Sequence, residues 1–455
     1  MASARLTKTT SSSTGKIFTI SVWLKKADNA SNSMIFHLTS DSNTNKYVEV
    51  ASKSGYAIDF QLRNGTSGDN GTYLRRRLTR LFRDVNGWYH LVIRFDSTNS
   101  TAADRARIYV NGEQATDVDQ NSTPDVPLNF VSDLNNDNSN LSLAGSVGGS
   151  NYLNGQLAHF HFTDGYSYGP TTFGETDATT GIWKPKVSPS VTYGTNGFFL
   201  KFDNSANMGL DSGGGGNNWT TNGTIIQTKD TPSNVFATMN SLNTNPNIAY
   251  SQVNNTVFAD SGGDLRTAFS TLGATSGKYY AEAKVVSIQD AIQVGLVAAD
   301  SSAAIGSNNY GWAIHQFKNS LTYMSVGKIK NYNNNTVATG LATYTANDII
   351  GIAADLDNSK IYFHKNGTYI NSGVPTSGST GTGAYSLTAN TTYLFGSSMN
   401  YNNGKVSWNF GNGYFGTTAV SSAQSPDDGN GIFEYDVPAG YRALCTKSIN
   451  AEEYS

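Results

Sequence analysis

Two distant stretches, RIYVNGEQ at 107–114 and KIYFHKNGTY at 360–369, share one design. Each alternates apolar and polar residues and then closes on Asn-Gly. That dipeptide suits a type I′ turn, whose two central residues both need positive φ. Each stretch also follows a strand-like run ending in Asp, GWYHLVIRFD at 87–96 and IIGIAADLD at 349–357. In the first run Tyr89, Leu91, Ile93 and Phe95 share one face, while Trp88, His90, Val92 and Arg94 share the other. A period of two means a strand with one face on a core. One chain that builds the same hairpin twice is expected to hold two antiparallel cores.

At 455 residues the chain exceeds a single ordinary core. Further strands read at 17–26, 33–38, 47–52, 56–62, 141–145 and 157–162, then at 277–286, 292–300, 392–399 and 405–412. Gly, Asn, Asp and Ser turns separate them, the pattern of an all-β sandwich. Only 14% of residues are charged, and we find no long amphipathic run at helical spacing. From about 165 to 245 the texture becomes irregular. This predicts a connector that packs along its neighbours through Tyr168, Phe173, Trp183 and Tyr193, with DSGGGGNNW at 211–219 as a hinge.

The net charge of −3 argues against nucleic acid as the main partner. No stretch reaches the roughly 20 apolar residues of a membrane span. The N-terminal segment lacks the apolar centre of a signal peptide, so synthesis in a cytosol is expected. Strand-like sequence begins within the first twenty residues, so a separate N-terminal anchor is not expected and anchoring would fall to the arginine run, the connector or the tail. The single cysteine, Cys445, rules out an intrachain disulfide framework.

The motifs ISVWLKK, GWYHLVIRFD followed by RIYVNGEQ, and YLNGQLAHFHF resemble a laminin-G or concanavalin A-like jelly roll. GKYYAEAKV, NDIIGIAADLDNSKIYFHKNG and VSWNFGN resemble a SPRY domain, a relative of the same jelly roll. The expected fold is therefore all-β, two concanavalin A-like jelly-roll sandwiches joined by an extended connector. The expected domains are 1–165, a connector at 166–245, a SPRY-like sandwich at 246–415 and a C-terminal extension at 416–455. The connector, together with the ending VPAGYRALCT, is similar to a pairing found in structural proteins of tailed phages. That resemblance implies a virion protein made in the host cytoplasm: a tail-fibre or receptor-binding component contacting host-surface glycan. A head decoration or capsid fibre is the alternative, and a polysaccharide depolymerase the third. Other virion proteins and copies of the chain itself, as a trimer, are the implied partners; nucleic acid and membrane insertion are not.

No catalytic residue is expected. A glycosidase needs two opposed carboxylates; the nearest pattern, ETDATT, offers Glu175 and Asp177 but has Thr180 where a third acid would stand. His159 and His161, two apart, could form half a metal site or face solvent while Phe160 and Phe162 pack. No cofactor is implied. Calcium would have to rely on Asp133 and Asp137, off EF-hand spacing, while Asp355 and Asp357 read as turn caps. Sugar stacking points to Tyr310, Trp312, Tyr332 and Tyr401, aromatics in polar loops. The densest charge, Arg75, Arg76, Arg77, Arg80 and Arg83, reads as a solvated edge or as a dock for an acidic neighbour or anionic glycan. In an extended chain Arg75 and Arg77 would oppose Arg76.

Overall fold

A computed structural model describes residues 4–27, 32–40, 46–53, 57–64, 72–119, 125–135, 138–242, 248–259, 265–288, 291–302, 313–399 and 404–453. The chain is mostly β and divides into two units, Met1–Gln227 and Thr228–Ser455. Each is built on a pair of mainly antiparallel sheets, as two jelly rolls require, with a small two-stranded sheet beside them. None of the described helices is long and apolar enough to cross a membrane.

In the first unit a seven-stranded sheet runs in the order Thr220–Asn222, Arg5–Thr9, Asn140–Leu143, Ser33–Thr39, Lys46–Ser52, Ile58–Asn64, Thr72–Arg77. The facing sheet runs Phe198–Leu200, Gly155–Asp164, Ile17–Lys26, Trp88–Asp96, Ala106–Val110, Glu113–Gln114. Alternation sends Phe18, Phe36, Phe60, Phe95, Phe160 and Phe162 into the space between them. Strand Thr72–Arg77 lies inside the arginine run, where charge hides the strand pattern.

The second unit repeats the plan. Its larger sheet orders Ile248–Ser251, Thr256–Ala259, Lys405–Asn409, Lys278–Ser287, Ile349–Asp355, Lys360–Lys365, Thr368–Tyr369 along its main path. The smaller holds Arg266–Ala274, Tyr393–Met399, Ile292–Ala298, Leu321–Met324, Lys328–Asn331, Asn335–Ala338. Trp408 is fully buried between the sheets, stacks on Phe410 at 5.2 Å and donates Nε1–H to Ser397 Oγ at 3.2 Å.

Both Asn-Gly pairs form the turn their sequence predicts. Asn111 and Gly112 have φ of 50° and 89°; Asn366 and Gly367 have 49° and 85°. The closures match as well. Asn111 N–H donates to His90 O (2.9 Å) and its Oδ1 accepts from His90 N–H (2.8 Å). Asn366 makes the same two bonds with Ile349, both at 2.8 Å.

Each hairpin is covered by chain that follows its sandwich. In the first unit 166–193 crosses the outer face of the smaller sheet, so His90, Val92 and Tyr109 are buried on a side that alternation alone would leave to solvent. In the second unit the cover comes from the C-terminal segment, whose Phe433, Tyr441 and Cys445 pack on Tyr280, Ala353 and Tyr362.

Both covers set an aromatic ring against the turn glycine. A Cβ on Gly112 would lie 3.0 Å from the Trp183 ring, and one on Gly367 would lie 2.9 Å from Tyr435. Gly112→Ala and Gly367→Ala should therefore each cost about 2 kcal/mol, from strained φ plus displacement of the ring. Urea titration of the two variants checks this; an unchanged midpoint would show the cover to be loosely held.

The irregular stretch is thus divided between the units and packs on both. Its glycine-rich part is tied down, unlike the expected hinge. The Asp211 carboxylate accepts N–H from Phe199, Gly213 and Asn217 at 2.8–2.9 Å, and Trp219 reaches the first core. Three backbone donors around one carboxylate fix a loop that composition reads as loose.

Candidate functional site

Strand register assembles one continuous row on the outer face of the seven-stranded sheet. Thr220, Thr7, Ser142, His37, Glu49, Gln61 and Arg75 are successive cross-strand partners, one from each strand. They face outward because their neighbours, such as Leu6, Leu38, Val48, Val50, Phe60 and Leu62, fill the core. Thr220 is exposed, Thr7, His37, Gln61 and Arg75 are half-buried, and Ser142 and Glu49 lie beneath them.

Hydrogen bonds order the half of the row around Gln61. Tyr47 OH donates to Gln61 Oε1 (3.1 Å), and Gln61 Nε2 donates to Asp59 Oδ2 (3.0 Å). Asp59 is fully buried and pairs with both Arg75 (3.1 Å) and Arg77 (2.9 Å). Arg63 lies 6.0 Å over the Tyr47 ring, and Lys53 pairs with Glu49. His37 Nδ1 accepts from Val147 N–H at 3.1 Å. Burial, helped by Lys53, lowers its pKa to about 4, so the ring is neutral with its proton on Nε2. At the other end of the sheet an open cleft of about 380 Å³ is lined by Arg5, Thr7, Thr9, Asn140, Val147 and Thr220. The face therefore offers hydroxyls, an amide, guanidiniums and the Tyr47 ring, groups able to hydrogen-bond to and stack on a polyhydroxylated ligand.

The arginine run is largely engaged within the chain. Arg75 and Arg77 pair with Asp59, Arg76 with Asp125 and Arg80 with Asp117, while Arg83 is exposed. Arg76 does oppose its two neighbours. Of the aromatics picked for stacking, Tyr332 is 44% exposed beside Asn333 and Asn334, both at positive φ. Tyr310, Trp312 and Tyr401 lie outside the described residues.

Glu175 and Asp177 both meet Lys184, at 3.9 and 2.7 Å, and Asp177 accepts three further bonds from Thr179 and Thr180. Glu175 lies on the short strand Gly174–Thr176, opposite Lys184, and Asp177 caps the turn that follows. His161 does not face solvent: it is 2% exposed, stacks on Phe199 at 3.9 Å and meets Tyr193 OH at 2.9 Å. His159 sits at φ 46° where the register shifts by a bulge, and it too stacks on Phe199. The covering segment, invisible to strand alternation, is the reason. Asp133 Oδ2 accepts from Ser40 N–H at 2.6 Å, and Asp137 is outside the described residues. Asp355 caps its hairpin turn through Asn358, as expected, whereas Asp357 accepts instead from Gly277 N–H on another segment. Among the described residues no three His, Cys, Asp or Glu side chains group to hold a metal.

His90 shows how the cover acts. Trp183 Nε1–H donates to His90 Nδ1 (3.0 Å), so Nε2 carries the proton and donates to Ser21 Oγ (2.8 Å). Burial lowers the pKa of His90 to about 3.

Residues 2–166 match the Laminin_G_3 family, described as the concanavalin A-like lectin/glucanases superfamily, and residues 278–385 match the SPRY domain. Among solved structures, the SPRY domain of human HERC1 is 18% identical, covering 34% of this chain and 87% of its own, with a TM-score of 0.25. The Ruminococcus gnavus IT-sialidase CBM40 bound to alpha2,3 sialyllactose is 16% identical, covering 31% and 72%, with a TM-score of 0.25. No curated protein matches the chain.

Proposed function

We propose that this chain, in which a concanavalin A-like domain precedes a SPRY domain, is a glycan-binding virion component without catalytic activity, most simply a tail-fibre or receptor-binding protein. The observation that carries the glycan reading is the seven-strand polar row, set on one sheet of the first unit while the other sheet's outer face is covered. The carboxylates on either side of Gln61, Glu49 in the row and Asp59 beside it, are held by Lys53 and by Arg75 with Arg77. Neither is placed as an acid–base partner, which favours binding over cleavage. Single sugar contacts are weak, and many copies on one particle raise avidity. The virion placement rests on the similarity of the connector and C-terminal ending to tailed-phage structural proteins. A head decoration is the second reading on the same similarity.

A glycan array with the purified chain tests the binding. Gln61→Ala, which should leave the fold intact, is expected to weaken binding about tenfold, as the neighbouring polar groups lose their link. No binding to any glycan would overturn the reading, and release of reducing ends from a polysaccharide would replace it with an enzyme. Imaging of intact particles separates tail tip from head.

A further inference from the structure

The outer face of the seven-stranded sheet carries a charge opposite to that of the chain. Among its described side chains, Arg5, Lys53, Arg63, Arg75 and Arg77 are cations, Glu49 and Asp59 are anions, and Asp119, opposite Arg77 at the sheet edge, is a third anion. Five against three leaves a surplus of two positive charges, on a chain whose net charge is −3. We infer that this face selects a carboxylated polysaccharide over a neutral one. The inference rests on the glycan-binding reading above and deepens it by naming the ligand class.

Three features support a carboxylated sugar. Arg75 and Arg77 project two residues apart and together seat one carboxylate, Asp59, so their spacing fits that group. Their side chains remain 29% and 31% exposed. The cations also stand at separated places. Arg5 lies five strands from Arg75, roughly 24 Å across at ordinary strand spacing. Hydroxyl and amide groups of Thr7, Ser142 and Gln61 fill the interval. A polymer with repeated carboxylates reaches both ends, while its hydroxyls meet the neutral centre. Nucleic acid fits less well: single strands call for several stacking platforms, and the Tyr47 ring already lies under Arg63.

The test uses the full chain with polygalacturonate, alginate and polysialate, each beside its methyl ester, which keeps the backbone and removes the charge. At least one acid form should bind about tenfold more tightly than its ester at low salt, and lose most of that margin at high salt. Arg5→Gln and Arg63→Gln should together weaken the acid form about tenfold and the ester by a much smaller factor. Circular dichroism of the double variant checks its fold. Equal binding of acid and ester overturns the inference and leaves glycan binding in place. So does binding only to neutral glycans on the array, or equal binding of dextran sulfate or single-stranded DNA, which would mark a general polyanion surface. Failure to bind any glycan is the distinct result that removes the parent reading.

Discussion

Lowering the pH from about 7 to about 5 should destabilise the first unit more than the second. All six histidines have pKa values lowered by burial: His37, His90, His159 and His161 in the first unit, His315 and His364 in the second. For each, the unfolded chain takes up a proton near pH 6.5 while the folded chain does not. The stability is thus present above the unfolded value and falls as pH drops towards the folded one. His37 and His90, at about 4 and about 3, should each lose about 2 kcal/mol by pH 5.

In the second unit Glu282 works the other way. Burial raises its pKa to about 7, against bonds donated by Glu434 N–H, Tyr435 N–H, Tyr280 OH and Asn409 Nδ2. Its folded pKa lies above the ordinary 4.5 of the unfolded chain. Its contribution is therefore complete below that value, is lost as pH rises through 7, and is regained on acidification. That returns about 2 kcal/mol by pH 5. It offsets about half of the roughly 4 kcal/mol lost at His315 and His364 together, whose folded values are about 4 and about 3. Calorimetry at the two pH values reads the difference. Equal shifts of both transitions would contradict the balance, and Glu282→Gln should make the second transition more acid-sensitive than it is in the parent.

Gly351→Ala should lower the second transition by about 10 °C and leave the first in place. The His364 ring lies across the strand Ile349–Asp355 to reach Tyr280 OH on the strand beyond, at 2.6 Å. Only a glycine lets it pass: a Cβ at 351 would stand 1.8 Å from His364 Nε2. Moving the ring also breaks the link from His364 through Tyr280 to Glu282, beneath the cover at Glu434 and Tyr435. Overpacking together with a broken buried network costs about 3 kcal/mol. Adding His364→Ala removes the clash and should recover part of the loss, and a double-mutant cycle measures the coupling. A Gly351→Ala protein melting like the parent would mean that the ring has another path.

Much of the fold is legible in the sequence because its signals are local. Alternation at 87–96 and 349–357 identifies strands, and Asn-Gly at 111–112 and 366–367 specifies the turns that follow. Even the opposition of Arg76 to Arg75 and Arg77 follows from a period of two. The arginines' partners do not: Asp59, Asp117 and Asp125 come from other segments. Tyr47 and Asp59 could have been suspected as outward polar residues alternating with core ones in YVEVAS and YAIDFQL. Their joining to Thr7, Ser142 and Thr220 could not, since that row depends on six separate strand pairings.

By itself the sequence determined the strands, the two turns and the existence of two sandwich cores, because dihedral preference and side-chain alternation act within a few residues. Only the tertiary structure decided which face would be covered, which histidines would be buried and which polar groups would stand side by side. Those outcomes depend on contacts between segments far apart in the chain, such as Trp183 with His90 and Glu434 with Glu282. No local periodicity encodes them.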